Sequence, residues 1–289
     1  MREKIKCFFA KRRVIALIAV ILLAASAIGG VITGSSLAVN EEDGIKLPII
    51  MYHSILKSAK VQTKYIVTPE QFEADLIWIK NNGYTSIFMI DLISYVYEGT
   101  ELPEKPIIIT FDDGYYNNLV YMYPLLVKYD MKAVVSIVGS YSEIFSNSMD
   151  LNPSYAHLTW DNIKEMSESG YVEFQNHSYE MHSTKVRKGC KIMANESYDE
   201  YKSKFCSDVM RTQILLTEKC SITPNTFTYP YGYICDESEE LLKELGFKAS
   251  LSCYEKLNYI TRDKDCLYSL KRFNRDSTLS TERFMSKIK

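Results

Sequence analysis

Residues 106–115 read Pro-Ile-Ile-Ile-Thr-Phe-Asp-Asp-Gly-Tyr. The apolar run from Pro106 to Phe111 does not alternate with polar residues, which is the pattern of a strand covered on both faces, as in parallel sheets flanked by helices. It ends on two adjacent carboxylates, Asp112 and Asp113, followed by a glycine. Asp-Gly alone is ordinary turn chemistry. Two carboxylates at the end of a buried strand are a different matter, because they repel and lose hydration unless a cation or a shared proton relieves them. Adjacent positions also point in different directions, so one carboxylate can bind a metal while its neighbour faces a bound water.

The same unit, an apolar run followed by an amphipathic stretch, recurs on both sides. Leu47–Tyr52 reads as a buried strand and Pro69–Asn82 as a helix, with Thr68 as N-cap, Pro69 at the first position and Gly83 as stop. Tyr84–Phe88 precedes Asp91–Tyr97, and the run at 106–111 precedes a helix from about Tyr115 to Tyr129. Lys132–Val138 comes before a helix at Trp160–Ser169, and Tyr171–Gln175 before a long helix near Ser197–Lys219. Phe227–Tyr229 precedes Glu237–Leu245, and Phe247–Ser252 and Tyr268–Phe273 complete the strands. Strands alternating with helices predict an α/β fold with a parallel sheet, at this count a distorted (β/α)7–8 barrel. An open doubly wound sheet is the alternative, but no Gly-rich phosphate loop follows any strand, which argues against a nucleotide ligand.

Active sites of such barrels sit at the C-terminal ends of the strands. The polar residues just past the predicted strands are His53, Asp112, Asp113, His177, His182, Tyr231 and Arg272. The chain has only 4 histidines, and three of them fall in that set. His177 and His182 are five residues apart, about 140° around an α-helix, so a loop must bring their rings together. Two imidazoles and one carboxylate leave coordination positions open, as a catalytic zinc site requires. Thr228-Tyr-Pro-Tyr-Gly232 reads either as a strand ending in a turn or as a backbone N–H donor to a developing oxyanion. His157, beside the helix start at Thr159-Trp160-Asp161, is assigned to capping and packing.

The N-terminal residues carry the charge asymmetry. Arg2, Lys4, Lys6, Lys11, Arg12 and Arg13 against Glu3 make residues 1–13 +5, so the remainder of a chain with net charge −2 is −7. An acidic remainder argues against a nucleic-acid partner. Val14–Asn40 is 27 residues without a charge, and its core, Val14–Gly34, spans about 32 Å as a helix, enough for a bilayer. Basic residues before that segment keep the N-terminus cytoplasmic. The expected organisation is a basic cytoplasmic tail (1–13), a transmembrane signal anchor (14–34), a linker (35–46) and an extracytoplasmic catalytic domain (47–289). A cleaved signal peptide is the alternative, since Ala24-Ala25-Ser26-Ala27 offers small residues. The six cysteines beyond Cys7 read either as disulfides of an exported domain or as buried free thiols.

Taken together, these residues resemble the polysaccharide deacetylases, the NodB-homology or carbohydrate esterase family 4 group. The matching stretches are Thr110-Phe-Asp-Asp-Gly114, His177-Ser…His182 and Tyr229-Pro-Tyr-Gly232. The resemblance implies Asp112 as general base and Asp113, His177 and His182 as ligands of a divalent metal, most often zinc, with cobalt or nickel as alternatives. It implies the backbone at Tyr231 as oxyanion donor, and Tyr231 and Tyr115 as substrate contacts. Three features depart from the common pattern: four residues separate the histidines, no histidine follows His182, and Thr228 stands where many members carry an arginine. The circularly permuted poly-N-acetylglucosamine deacetylases share the wider spacing and take the acid histidine from an N-terminal strand. By that resemblance Ile49-Ile-Met-Tyr-His-Ser54 nominates His53 as general acid, and Arg272 stands in for the missing arginine. The implied activity is removal of N-acetyl groups from a cell-wall or extracellular polysaccharide containing N-acetylglucosamine. A membrane-anchored glycan-binding barrel without catalysis and an O-acetyl esterase are the alternatives.

Overall fold

A computed structural model describes residues 44–57 and 63–289. Twelve strands are formed among them: β1 (Ile45–Leu47), β2 (Ile49–Tyr52), β3 (Ser54–Ile55), β4 (Ile66–Val67), β5 (Thr85–Ser86), β6 (Pro106–Phe111), β7 (Ala133–Ile137), β8 (Val172–Asn176), β9 (Thr226–Thr228), β10 (Ala249–Leu251), β11 (Asn258–Ile260) and β12 (Phe273–Asn274). The helices are α1 (Pro69–Asn81), α2 (Met89–Glu98), α3 (Tyr123–Tyr129), α4 (Gly139–Ser148), α5 (Trp160–Glu168), α6 (Tyr198–Cys220), α7 (Asp236–Glu244) and α8 (Thr281–Met285). The expected tail and anchor, 1–34, lie outside the described residues. Among the described residues no helix is long and apolar enough to cross a membrane. Ile45 and Lys46, at the end of the expected linker, belong to β1, which pairs antiparallel with β11.

The main sheet is parallel, in the order β10-β9-β8-β7-β6-β2-β12, with β5 also paired to β6. It curls, so that the two edges approach each other through the segment before β12: Leu270 bridges Leu251 of β10, while Phe273 pairs with Ile50 of β2. The expected barrel is thus realised as a curled sheet in which one isolated bridge, rather than a full ladder, spans the seam.

Side-chain alternation along the strands sorts the two faces. Ile107, Ile109 and Phe111 of β6, with Ile50 and Tyr52 of β2, join the outer core beneath the helices, where Phe72 and Leu76 of α1 and Ile163 of α5 meet them. Ile108, Ile49 and Val134 face the inside of the curl, packed with Ala249, Leu251 and the apolar side of α2. The inner face becomes polar toward the C-terminal ends of the strands, where Ser136 and Thr228 share a 2.7 Å hydrogen bond and Thr110 donates to the Ile50 carbonyl. Thr68 caps α1 and Ser197 caps α6, each in a reciprocal capping box with the residue three on. All six cysteines from Cys190 to Cys266 are free thiols.

Candidate active site

Register places the chemistry. Tyr52 of β2 is level with Phe111 of β6, and the Asp112 amide donates to the Tyr52 carbonyl at 3.0 Å, so His53 and Asp112 leave adjacent strands side by side. Asn176 of β8 is level with Phe227 of β9, which brings His177 beside Thr228. Tyr52, Phe111 and Asn176 all point outward to the helices, so the next residue on each strand, His53, Asp112 and His177, turns inward by alternation alone.

Asp113 would then face outward, and the backbone corrects this. Asp113 has φ +72° and Gly114 φ +68°, two left-handed residues in succession that swing the second carboxylate back over the cavity. A non-glycine residue in that region is uncommon and strained, a condition that concentrates at functional sites. Gly114 is required on two counts: its φ, and an Ile137 methyl carbon 2.8 Å from where a Cβ would stand.

The two carboxylates have different partners. Asp112, buried at the edge of the cavity, is gripped by a fork: Arg272 Nη1 donates to Oδ1 at 2.7 Å and Nη2 to Oδ2 at 2.8 Å. Arg272 is itself buried and held by the Ser252 carbonyl at Nε (2.7 Å) and by Thr110 Oγ1 (3.1 Å). Burial alone would push the Asp112 carboxyl up, but the charge and hydrogen bonds of Arg272 outweigh it and hold the group below the ordinary aspartate value. The arginine arrives from the far end of the chain, while Thr228, where the common pattern carries one, is occupied with Ser136.

Asp113 meets imidazoles instead. Its Oδ1 lies 3.0 Å from His182 Nε2 and 3.5 Å from His177 Nε2. That oxygen has no properly directed hydrogen bond although it is buried. Ligand atoms of Asp113, His177 and His182 all fall within 4.8 Å of one another. One orphaned carboxylate oxygen and two ring nitrogens converging on a point fit a divalent cation, with open positions left for water and substrate. The supporting contacts fix the rings: His177 Nδ1 lies 2.7 Å from the Thr228 carbonyl, and His182 Nδ1 lies 3.3 Å from the Tyr231 hydroxyl. An Nδ1–H donated to a carbonyl leaves Nε2 with a lone pair for a metal.

A cavity of about 810 Å³ brings His53, Asp112, Asp113, Tyr115, His177, His182 and Tyr231 together. Arg272 stands behind Asp112. A second cavity of about 890 Å³, bounded by Thr85, Lys132 and Tyr171 at the opposite ends of the strands, contains none of them. The His53 and Tyr65 rings meet edge to face, with centroids 5.0 Å apart, and His53 Nδ1 is buried without a partner. Burial lowers its proton affinity, against the pull of Asp113 and Asp112. Tyr231 is half-exposed and adopts φ +57° in the turn after β9, its ring 4.6 Å from that of His182.

Several contributors carry no motif in the sequence. Asn117 and Asn118 lock the His53 segment: Asn118 Nδ2 donates to the His53 carbonyl, and Asn117 binds the Ile55 amide and the Ser54 hydroxyl. Two consecutive asparagines at the start of a predicted helix were the available signal, because asparagine there competes for backbone hydrogen bonds. His157 is held by packing, between Tyr115, Tyr141 and Phe145, while Thr159 does the capping.

The family model described as polysaccharide deacetylase matches residues 99–250. That range contains both carboxylates, His177, His182 and Tyr231, and leaves out His53 and Arg272. The chain is 24% identical over 217 residues to the poly-beta-1,6-N-acetyl-D-glucosamine N-deacetylase of Escherichia coli K12, covering 68% of this chain and 32% of that protein. The Staphylococcus aureus MRSA252 protein of the same name is 27% identical over 201 residues, 69% of this chain and 65% of its own length. This chain therefore spans only about a third of the E. coli relative. Among solved structures, a de-N-acetylase from Aggregatibacter actinomycetemcomitans superimposes with a TM-score of 0.70 at 25% identity, covering 83% of this chain and 99% of that one.

Proposed function

The chain belongs to the polysaccharide deacetylase family, and from that premise we propose that it is a metal-dependent hydrolase that removes N-acetyl groups from an N-acetylglucosamine polysaccharide. The observation that carries the reading is the division of labour between neighbouring carboxylates: Asp112 is paired with a guanidinium, Asp113 with two imidazoles. Hydrolysis of an amide needs both a base and an electrophilic centre, and a glycan-binding surface needs neither.

Asp113, His177 and His182 would hold the metal. When bound, a divalent ion supplies Lewis acidity to that corner of the cavity. Two imidazoles and a carboxylate suit zinc, with cobalt or nickel as substitutes. Asp112, kept ionised by Arg272, accepts the proton of the attacking water. The Tyr231 backbone N–H faces the developing oxyanion, and the Tyr231 and Tyr115 rings contact the sugar. His53 delivers a proton to the departing nitrogen, so that acetate and a free amine leave. The +5 segment ahead of the uncharged run supports a signal anchor at 14–34 with the catalytic domain on the extracytoplasmic side.

Acetate release tests the proposal. Poly-N-acetylglucosamine oligomers, peptidoglycan and an O-acetylated glycan are incubated with chelated protein before and after zinc, cobalt or nickel is restored. Release from the N-acetylglucosamine oligomers, abolished by chelation and recovered with zinc, is expected. Release from the O-acetylated glycan alone would identify an esterase, and binding without release a non-catalytic receptor.

A further inference from the structure

We propose that Asp208 of α6 is a positioning residue for the metal site: it holds the turn between His177 and His182 and thereby sets the affinity for the divalent ion. The inference rests on reading Asp113, His177 and His182 as the metal ligands. Its starting point is the wide separation of the two histidines. Both rings reach the same carboxylate oxygen although five residues apart, so the intervening backbone must reverse, and Ser178 does so at φ +70°.

One face of α6 templates that reversal. Asn176, just before His177, accepts the Ser178 amide at 2.9 Å and donates to the Val209 carbonyl and to Gln213 Oε1. The next two amides go to a single side chain: Tyr179 N donates to Asp208 Oδ1 and Glu180 N to Asp208 Oδ2, both at 2.8 Å. Thr212 Oγ1 donates to the Ser178 carbonyl at 2.9 Å. Positions 208, 209, 212 and 213 share one helix face by their spacing. The loop thus meets a carboxylate, a carbonyl, a hydroxyl and an amide in turn.

Asp208 is costly where it stands, which points to a use outside its own helix. Aspartate is a weak helix former in a helix interior, and Asp208 lies near the middle of α6. Both of its oxygens serve the loop. Hydrogen bonds to an ionised acceptor are shorter and about twice as strong as neutral ones, so Asp208 adds a charge-assisted tie to a turn whose Ser178 and Tyr179 carbonyls also accept the Gly139 and Ser140 amides. Glu180 is also the last residue before His182 whose amide α6 holds. His177, in contrast, is fixed independently by β8 and the Thr228 carbonyl. Loss of the Asp208 charge therefore frees His182 while leaving His177 in place, and outer residues that orient ligands typically change metal affinity by about 10- to 100-fold.

The test is zinc affinity of the metal-stripped chain, measured by competition with a chromophoric chelator, for the parent, Asp208→Asn, Thr212→Val and Asp113→Ala. Amide hydrogen exchange at Tyr179 and Glu180 is followed alongside. Asp208→Asn should bind zinc roughly ten-fold or more weakly, exchange those two amides faster, and regain parental kcat in excess zinc. Thr212→Val should weaken binding by roughly two- to three-fold, in keeping with one neutral hydrogen bond. An Asp208→Asn affinity within two-fold of the parent overturns the inference, whatever its thermal midpoint. If that variant does not fold, unchanged affinity in Thr212→Val overturns it instead. A parent that binds no zinc, or an Asp113→Ala variant that binds as tightly as the parent, removes the metal-site reading beneath it.

Discussion

Arg272 and Arg275 lie three residues apart on one segment; both are buried and both fork onto an aspartate. Their surroundings separate them. Asp75, on α1, accepts Arg275 Nε at 2.6 Å and Nη2 at 3.2 Å, the Tyr52 hydroxyl at 2.9 Å and the Thr281 hydroxyl at 2.6 Å. Four donors nearly exhaust a carboxylate. Arg275 Nη1 completes the cluster on the carbonyls of Asp276 and Leu279, so this pair ties β2, α1 and the C-terminal α8 together and has nothing left to offer. Asp112 has only the guanidinium of Arg272 for its side chain among the described residues, and it lines the active-site cavity. A buried carboxylate whose charge is balanced but whose lone pairs are not used up can accept a proton. One whose lone pairs are filled is a structural joint.

Substitutions should therefore behave oppositely at the two pairs. Asp75→Ala strands a buried guanidinium and should cost about 3–5 kcal/mol of stability, seen as a fall of roughly 10 °C or more in thermal midpoint, while the kcat of the folded fraction stays near the parent's. A large kcat loss without unfolding would erase the contrast. Arg272→Lys keeps the charge but loses the fork. It should lower kcat by about 10²-fold with a smaller loss of stability. Because Arg272 is what depresses the Asp112 carboxyl, the acidic limb of kcat/KM should also move to higher pH in this variant; an unmoved limb would detach Arg272 from the base.

Glu173 sharpens the comparison, as a carboxylate on the inner face of β8 with no guanidinium partner among the described residues. It accepts from Gln175 and from the Ile90 amide at the start of α2. Burial raises it from 4.5 to about 7. A folded-state value above the unfolded one means that its stabilisation is complete below about 4.5 and is lost as pH rises through about 7. The parent's thermal midpoint should thus decline across that window, and Glu173→Gln should flatten the decline; equal slopes would refute the assignment. Smallest of all, Tyr231→Phe removes one hydroxyl 3.3 Å from His182 Nδ1 and should reduce kcat/KM by only about three- to ten-fold. A drop as deep as that of Arg272→Lys would make the hydroxyl, rather than the Tyr231 backbone, the functional group.

The contrast also marks what the sequence could show. Strand β6 and its Asp-Asp-Gly ending were legible because β-branched continuity and turn chemistry are local. Helix α1 was legible from Thr68, whose capping box closes within one turn, and α6 from the amphipathic stretch that follows β8. Helix α4 was not, since Gly139-Ser-Tyr-Ser142 and Ser146-Asn-Ser148 are poor helix formers that form a helix when packed against α5 and α6. The strand expected over 268–273 forms later and shorter, at Phe273–Asn274, because Leu270 first bridges β10. The site residues were legible as types at strand ends. Their sharing of roles came only from the family resemblance and not from the residues themselves, because its physical basis is the left-handed backbone at Asp113 and partners 160 positions away in sequence for Arg272–Asp112 and 200 for Arg275–Asp75.

The measurement that bears most directly on that sharing is a paired assay of Asp112→Asn: acetate released from poly-N-acetylglucosamine oligomers and zinc retained per chain after gel filtration. If Asp112 is the base and Asp113 the ligand, release falls by at least about 10³-fold while zinc occupancy stays at the parent's level. Loss of zinc in Asp112→Asn, or release within ten-fold of the parent with zinc still bound, would contradict the division between the two carboxylates.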